Sequence, residues 1–137
     1  MSKLNLNIKA TDWNLFDSDG DLYKLESCRC YGGGNYILFT KYPRITVIYT
    51  GLSWQLDYRI HCCHRTDPRF YDYQPVYVAW LSFSQLEIKD ICDVIKGGIE
   101  NYLVRNFQKP LIGEKWSRNS EIQVEHPLSL LCDRFHL

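Results

Sequence analysis

The chain carries no surplus of charge. Sixteen Lys and Arg stand against sixteen Asp and Glu in 137 residues. A nucleic-acid binder leaves a basic domain or stripe as its electrostatic footprint; with none here, a nucleic-acid partner is not expected, and proteins or small molecules are. Long hydrophobic runs are missing too. The longest strictly apolar stretch, Val76 to Leu81, falls far short of the ~20 residues of a membrane span, so no membrane partner is expected. Cysteine is modest: six residues, against the roughly 8–10% of a disulfide scaffold. Met1 to Asn5 has no apolar signal region. Reduced thiols in a cytoplasmic protein are the expectation.

Signatures of catalysis and of metal binding are equally scarce. His61-Cys62-Cys63-His64 offers the donors that zinc takes. The segment before it alternates apolar and polar residues as a strand does, and extending that parity sends His61 and Cys63 to one face and Cys62 and His64 to the other. Four diverging ligands do not close a tetrahedron. A mixed set of Cys28, Cys30, His61 and Cys63 is geometrically possible, but small buried hydrophobes and a surface histidine explain these residues more simply. The same parity argues against a direct cysteine–histidine catalytic pair, and nothing in the pattern brings His126 or His136 near a thiol. Asp17, Asp19 and Asp21 resemble a calcium loop, yet counting from Asp17 puts glycine at position 4 instead of 6 and Cys28 where the bidentate Glu belongs; a turn accounts for them. Gly32-Gly33-Gly34 lacks the Lys and Ser or Thr of a P-loop and precedes a strand. The sequence therefore predicts no enzyme, no cofactor and no metal.

What is present is a strand-rich first half and one long helix. Leu4, Leu6 and Ile8 alternate with polar residues as a half-buried strand. Trp13–Phe16 and Leu22–Glu26 flank a turn at Asp19-Gly20 and predict a hairpin. Tyr36–Thr40 and Ile45–Thr50 read as two more strands. Leu52, Trp54, Leu56, Tyr58 and Ile60 alternate with polar neighbours and form the cleanest strand pattern in the chain. Val76–Phe83 is apolar on both parities, which predicts a strand in the middle of the sheet with both faces covered. Ser84 and Glu87 make a capping box, after which Ile88, Ile91, Ile95, Gly98, Ile99, Tyr102 and Leu103 recur at helical spacing to about Phe107. Ile122 and Val124 suggest a short strand, and Pro127–Phe135 a short closing helix. Strands followed by one long helix predict a single α+β domain over residues 1–137: a mostly antiparallel curved sheet of about six or seven strands packed on the helix 84–107, closed by the short C-terminal strand and helix.

Function is least constrained, and one composition stands out. Arg65-Thr66-Asp67-Pro68-Arg69-Phe70-Tyr71-Asp72-Tyr73-Gln74-Pro75 places aromatics, arginines and aspartates in a loop stiffened by two prolines. Tyr and Arg are enriched at binding hot spots, and a stiff loop binds at low ordering cost. Trp116, between Lys115 and Arg118, offers a second such loop. The competing reading has Phe70, Tyr71 and Tyr73 folding back as the loop's own core. The expected function is a non-enzymatic protein-binding domain that inhibits or neutralises a partner protein, an enzyme or toxin, in the manner of immunity proteins and phage anti-defence proteins as a class. Its expected contact residues are Arg65, Asp67, Arg69, Phe70, Tyr71, Tyr73 and Trp116. The alternative is a small-molecule-binding domain with an apolar cavity between sheet and helix, lined by Trp54, Tyr58, Trp80 and Tyr102. A small Cys/His-dependent enzyme or metal protein comes third.

Overall fold

The computed structural model describes residues 4–41, 44–82, 120–125 and 127–131. The predicted helix 84–107, Trp116, Tyr102 and His126 lie outside the described residues, as does His136.

Five strands form two sheets among the described residues. β2 (Gly34–Thr40), β3 (Thr46–Ser53) and β4 (Tyr77–Ser82) make an antiparallel sheet in the order β3-β2-β4, and β1 (Leu4–Ile8) pairs with β5 (Ser120–Val124) in parallel. Mixed α+β architecture with an antiparallel central sheet agrees with the sequence reading. Three features differ from it. The strand in the middle is β2, not the segment around Val76–Phe83, the terminal pair is parallel, and the described residues hold five strands.

The sheet is covered on both faces, as apolar residues on both parities require. Ile37, Phe39, Tyr77, Ala79 and Leu81 turn to one side, where Ile8, Trp13, Leu15, Leu128 and Leu131 join them. Tyr36, Leu38, Val78 and Trp80 turn to the other, against Leu25, Cys28, Cys30, Leu56, Ile60 and Phe70. The predicted hairpin survives as a single antiparallel bridge, Phe16 to Leu22. Its turn is displaced by one residue: Gly20 N–H donates to the Asp17 carbonyl at 3.0 Å, and Gly20 sits at φ +83°. Ser18 and Asp19 are therefore the corner residues, with glycine in the left-handed position that follows a type I turn. The Asp17 carboxylate accepts from the Asp19 and Asp21 amides at 2.9 and 3.0 Å, so its role is to close this turn. At the C-terminal end, Leu130 and Leu131 amides donate to Pro127 and Leu128 carbonyls, the start of the short helix expected there.

The largest departure lies at Leu52–His64. β3 ends at Ser53, and the chain turns into a helix instead of continuing as a strand. Ser53 Oγ accepts from the Gln55 amide at 3.0 Å, a local serine turn that redirects the chain just ahead of the helix. Arg59 N–H donates to the Gln55 carbonyl, after which the helix widens: Arg65 N–H reaches back five residues to the Ile60 carbonyl at 3.0 Å, the π-helical spacing of Tyr58–His64. Leu56, Ile60 and His64 point into the core and are 0%, 0% and 4% exposed. That stripe repeats every four residues, and a period of four is contained within alternation by two, which is how a helix presented the pattern of a strand. Pro68–Tyr73 then forms a 3-10 helix within the segment read as an unpatterned loop. Among the described residues no helix is long and apolar enough to cross a membrane.

Among the described residues, Asn35 is a fully buried polar residue that does not suit its place. It sits in the central strand, 0% exposed, and neither its amide nitrogen nor its carbonyl oxygen has a hydrogen-bond partner. A buried polar group left unpaired costs ~1–3 kcal/mol. Asn35→Leu is expected to raise stability by about 1–2 kcal/mol, after some allowance for the larger side chain. A urea midpoint that rises at unchanged slope confirms it, whereas a fall means that the amide serves a partner.

Candidate protein-binding surface

The two short helices build a layer over one face of the sheet, and their inward residues fix them there. Phe70 packs edge-on against Tyr49 with ring centroids 6.0 Å apart, and 5.7 Å from the His64 ring. His64 lies 4.7 Å from Tyr49, and its Nε2 is 2.5 Å from the Tyr36 hydroxyl. Tyr36, His64, Tyr49 and Phe70 thus form one aromatic cluster joining β2 and β3 to both helices. Burial pushes the Tyr36 phenol up, with Tyr49 beside it adding to the effect. Burial likewise pushes the His64 imidazole down to about 4, helped by the Arg59 charge. Both groups are therefore neutral at pH 7.

The outward residues are held as firmly. Asp67 caps the 3-10 helix by accepting from the Arg69 amide at 2.9 Å, and its other oxygen takes the Arg69 guanidinium at 2.9 and 2.7 Å. That contact holds the Asp67 carboxyl below its usual range. Arg69 also lies over the Tyr49 and Phe70 rings at 5.7 and 5.4 Å. Tyr71 donates its hydroxyl proton to the Thr66 carbonyl at 3.2 Å, and Gln74 Nε2 donates to the Phe70 carbonyl at 3.3 Å. Such fixing lowers the ordering cost of binding.

A second cluster adjoins the start of the Tyr58–His64 helix. Arg29 makes a two-pronged contact with Asp57, 2.9 and 2.8 Å, and the Cys30 amide donates to the same carboxylate at 3.1 Å. The Arg29 guanidinium, followed by that amide, holds the Asp57 carboxyl below its usual range. The Leu56 amide donates to the Gly32 carbonyl at 2.9 Å. Through these bonds residues 29–33 are tied to the helix start. Tyr31, Trp54 and Tyr58 surround this junction and are exposed, at 78%, 59% and 60%.

The predicted contact residues are therefore divided. Arg65, Arg69, Tyr71 and Tyr73 are exposed, Asp67 is half-buried beneath Arg69, and Phe70 is buried as a core anchor. Both competing readings of the loop apply, to different residues: Phe70 folds back, while its neighbours face outward. Tyr31, Trp54 and Tyr58 were not among the predicted contacts. Their signal was the four-residue step from Trp54 to Tyr58, out of phase with the buried Leu56, Ile60 and His64. Of the lining expected for an apolar cavity, Trp54 and Tyr58 face outward and Trp80 is buried with its ring centroid 4.6 Å from that of Tyr23, while Tyr102 lies outside the described residues.

The strand parity used to scatter His61, Cys62, Cys63 and His64 does not apply, because the four lie on a helix. His64 is buried, Cys62 is exposed, and His61 and Cys63 are half-buried; His61 Nε2 is 3.0 Å from Arg65 Nη1. Among the described residues, no three His, Cys, Asp or Glu side chains gather as a metal site. A polar pocket of about 740 Å³ opens elsewhere, lined among others by Asp17, Tyr23, Lys24, Ser27, Cys28 and Arg29.

Comparison with protein-family models, curated proteins and solved structures finds no match to this chain. Its function must be read from its own surface.

Proposed function

We propose that this protein is a non-enzymatic binding domain that blocks a partner protein, and that it does so with the layer formed by residues 54–73 together with Tyr31. One observation carries the reading. Among the described residues, all five exposed large apolar side chains are Tyr or Trp, namely Tyr31, Trp54, Tyr58, Tyr71 and Tyr73, and all five belong to this layer. Aromatic side chains with a polar tip tolerate water when free and supply large contact area when covered, which makes them the typical anchors of protein interfaces. The arginines interleaved with them, Arg59, Arg65 and Arg69, suit a partner surface that presents carboxylates. As an expectation from the sequence, Trp116, in a second loop between Lys115 and Arg118, would also contact the partner.

The small-molecule reading keeps one specific support, the pocket beside Tyr23 and Lys24. Its mixed lining of acids, cations and hydroxyls differs from the apolar lining typical of ligand cavities, and this reading comes second.

The test pairs binding with stability. A partner captured with the intact protein should be lost, by at least ~2 kcal/mol or about thirtyfold in affinity, when Tyr31 and Tyr58 are replaced together by Ala. Arg69→Ala with Tyr71→Ala should act similarly. Asp19→Lys, at the tip of the hairpin turn, is the control and should change affinity little. Lost binding at an unchanged melting temperature supports the surface. Retained binding by both double variants refutes it.

A further inference from the structure

We propose that the pocket between the hairpin turn at residues 17–21 and the start of β4 binds a small phosphate monoester. Lys24 and Lys41 hold the phosphate, and Asp17 and Asp21 accept from hydroxyl or amino groups at the other end of the molecule. The pocket has a volume of about 740 Å³ and all four residues line it; that size falls within the range of small-molecule sites. None of its lining residues belongs to the layer proposed to bind a partner protein, so the two readings stand or fall separately.

Tyr77 organises the cationic end. It is the first residue of β4, and it pairs with Phe39 of β2 on one side and with Lys24 on the other. The Leu25 amide donates to the Val76 carbonyl at 2.8 Å, and the Val78 amide to the Tyr23 carbonyl at 2.9 Å. These bonds are made by the flanking residues, so Lys24 and Tyr77 face each other as a non-hydrogen-bonded pair, whose side chains leave one face at the closest cross-strand spacing. From the β2 side, Lys41 sets its Nζ 4.9 Å from the centre of the Tyr77 ring. Two cations thus reach one ring from the chains on either side of it. The Ser27 and Cys28 amides return to the Lys24 carbonyl at 3.2 and 2.8 Å, a bend that carries the Ser27 hydroxyl round to the same pocket. Arg29 is also in the lining, but Asp57 already takes its guanidinium, which leaves the lysines to hold an anion. At the acidic end, Asp17 gives one carboxylate oxygen to the Asp19 and Asp21 amides and is fixed by them. Asp21 precedes Lys24 by three residues, roughly 10 Å of extended chain. A phosphate monoester carries about −1.5 to −2 at pH 7 and offers three acceptor oxygens, a match for two ammonium ions and a hydroxyl that a singly charged carboxylate does not make. Lysine binds phosphate as a point charge and needs no fixed fork. The carboxylates repel a second anionic group and accept hydrogen bonds, which favours a monoester over a polyphosphate. Sugar phosphates and nucleoside monophosphates share this chemistry.

The experiment is titration of the full-length, nitrogen-15-labelled chain with ribose 5-phosphate, adenosine 5′-monophosphate, inorganic phosphate and unphosphorylated ribose, followed by amide chemical shifts. Sodium chloride at matched ionic strength is the control. Inorganic phosphate should shift amides at residues 24–29, 41 and 77. At least one ester should also shift residues 17–22 and bind more tightly than inorganic phosphate by about tenfold or more; the tighter of the two tells a sugar phosphate from a nucleotide. Ribose and chloride should shift neither group. Lys24→Gln with Lys41→Gln should weaken the ester by about tenfold or more, and Asp21→Asn should weaken the ester but not inorganic phosphate. Circular dichroism checks folding. Absence of saturable shifts with both esters overturns the proposal, and so do equal shifts with chloride or an ester affinity that the lysine substitutions leave unchanged. Should the double variant not fold, Lys24→Gln, at an exposed position, is made alone: weakened ester binding supports the site, and unchanged binding overturns it.

Discussion

Gly34→Ala is expected to destabilise the protein by about 3 kcal/mol or more, well above the typical ~1 kcal/mol of a point substitution. Gly34 opens the central strand, paired with Ser53 on β3 and Ser82 on β4. A Cβ at this position would run into the Leu81 carbonyl oxygen, approach the Leu81 carbonyl carbon to 2.9 Å, and lie 3.1 Å from Leu56 Cδ1. The first two are backbone atoms of the neighbouring strand, so no rotamer change relieves them. The β2–β4 pairing must open or the helix start at Leu56 must lift. The informative comparison is Gly20→Ala. Gly20 requires the left-handed backbone but has open space around it, so its cost is confined to conformation, about 1–2 kcal/mol. Urea denaturation should place Gly34→Ala clearly below Gly20→Ala. Equal midpoints would mean that the strands are farther apart at Gly34 than described.

The sheet was readable from sequence where its signal was redundant. β2 and β4 are apolar on both parities, and only a strand covered on both faces accommodates that. β1 and β5 each showed alternation, but pairing partner and direction have no local signature, and the parallel β1–β5 pair was missed for that reason. The segment from Trp54 to His64 failed differently. Leu56, Ile60 and His64 satisfy both periods, and the telling residue was Ser53, whose hydroxyl takes the Gln55 amide where the chain turns out of the strand and which had been counted as the polar half of an alternation. The error carried into function. A strand made Trp54 and Tyr58 inward-facing, whereas the helix turns them out, exposed like Tyr31. Phe70 is the converse. Composition marked the loop as aromatic, but could not say which ring anchors it, because that depends on Tyr49 arriving from β3 and on the helix turning His64 inward.

The cluster that anchors this surface should also make the protein sensitive to mild acid, with His64 as the cause. His64 is 4% exposed. Its Nε2 meets the Tyr36 hydroxyl and its Nδ1 has no partner. Protonation would put a charge into this cluster and leave a second N–H donor without an acceptor. The folded-state pKa is accordingly pushed down to about 4 from the ordinary 6.5. Above 6.5 neither the folded nor the unfolded chain protonates this ring, and its contribution to stability is fully present. Between 6.5 and 4 the unfolded chain takes up a proton that the folded one refuses, so stability falls with pH by about 1.4 kcal/mol per unit, approaching a total of ~3 kcal/mol. Below about 4 both states are protonated and the slope from this residue ends. Asp57 and Asp67, held below their ordinary 3.8 by Arg29 and Arg69, lose their contributions only under that lower limit, so the two windows separate. His64→Gln keeps a polar group beside Tyr36 and does not titrate. Its stability at neutral pH should be lower than that of the native chain, and the difference should shrink steadily as pH falls from about 6.5 toward 4. Parallel stability profiles for the two proteins across that range would show that the buried imidazole takes up its proton as readily in the folded chain as in the unfolded one.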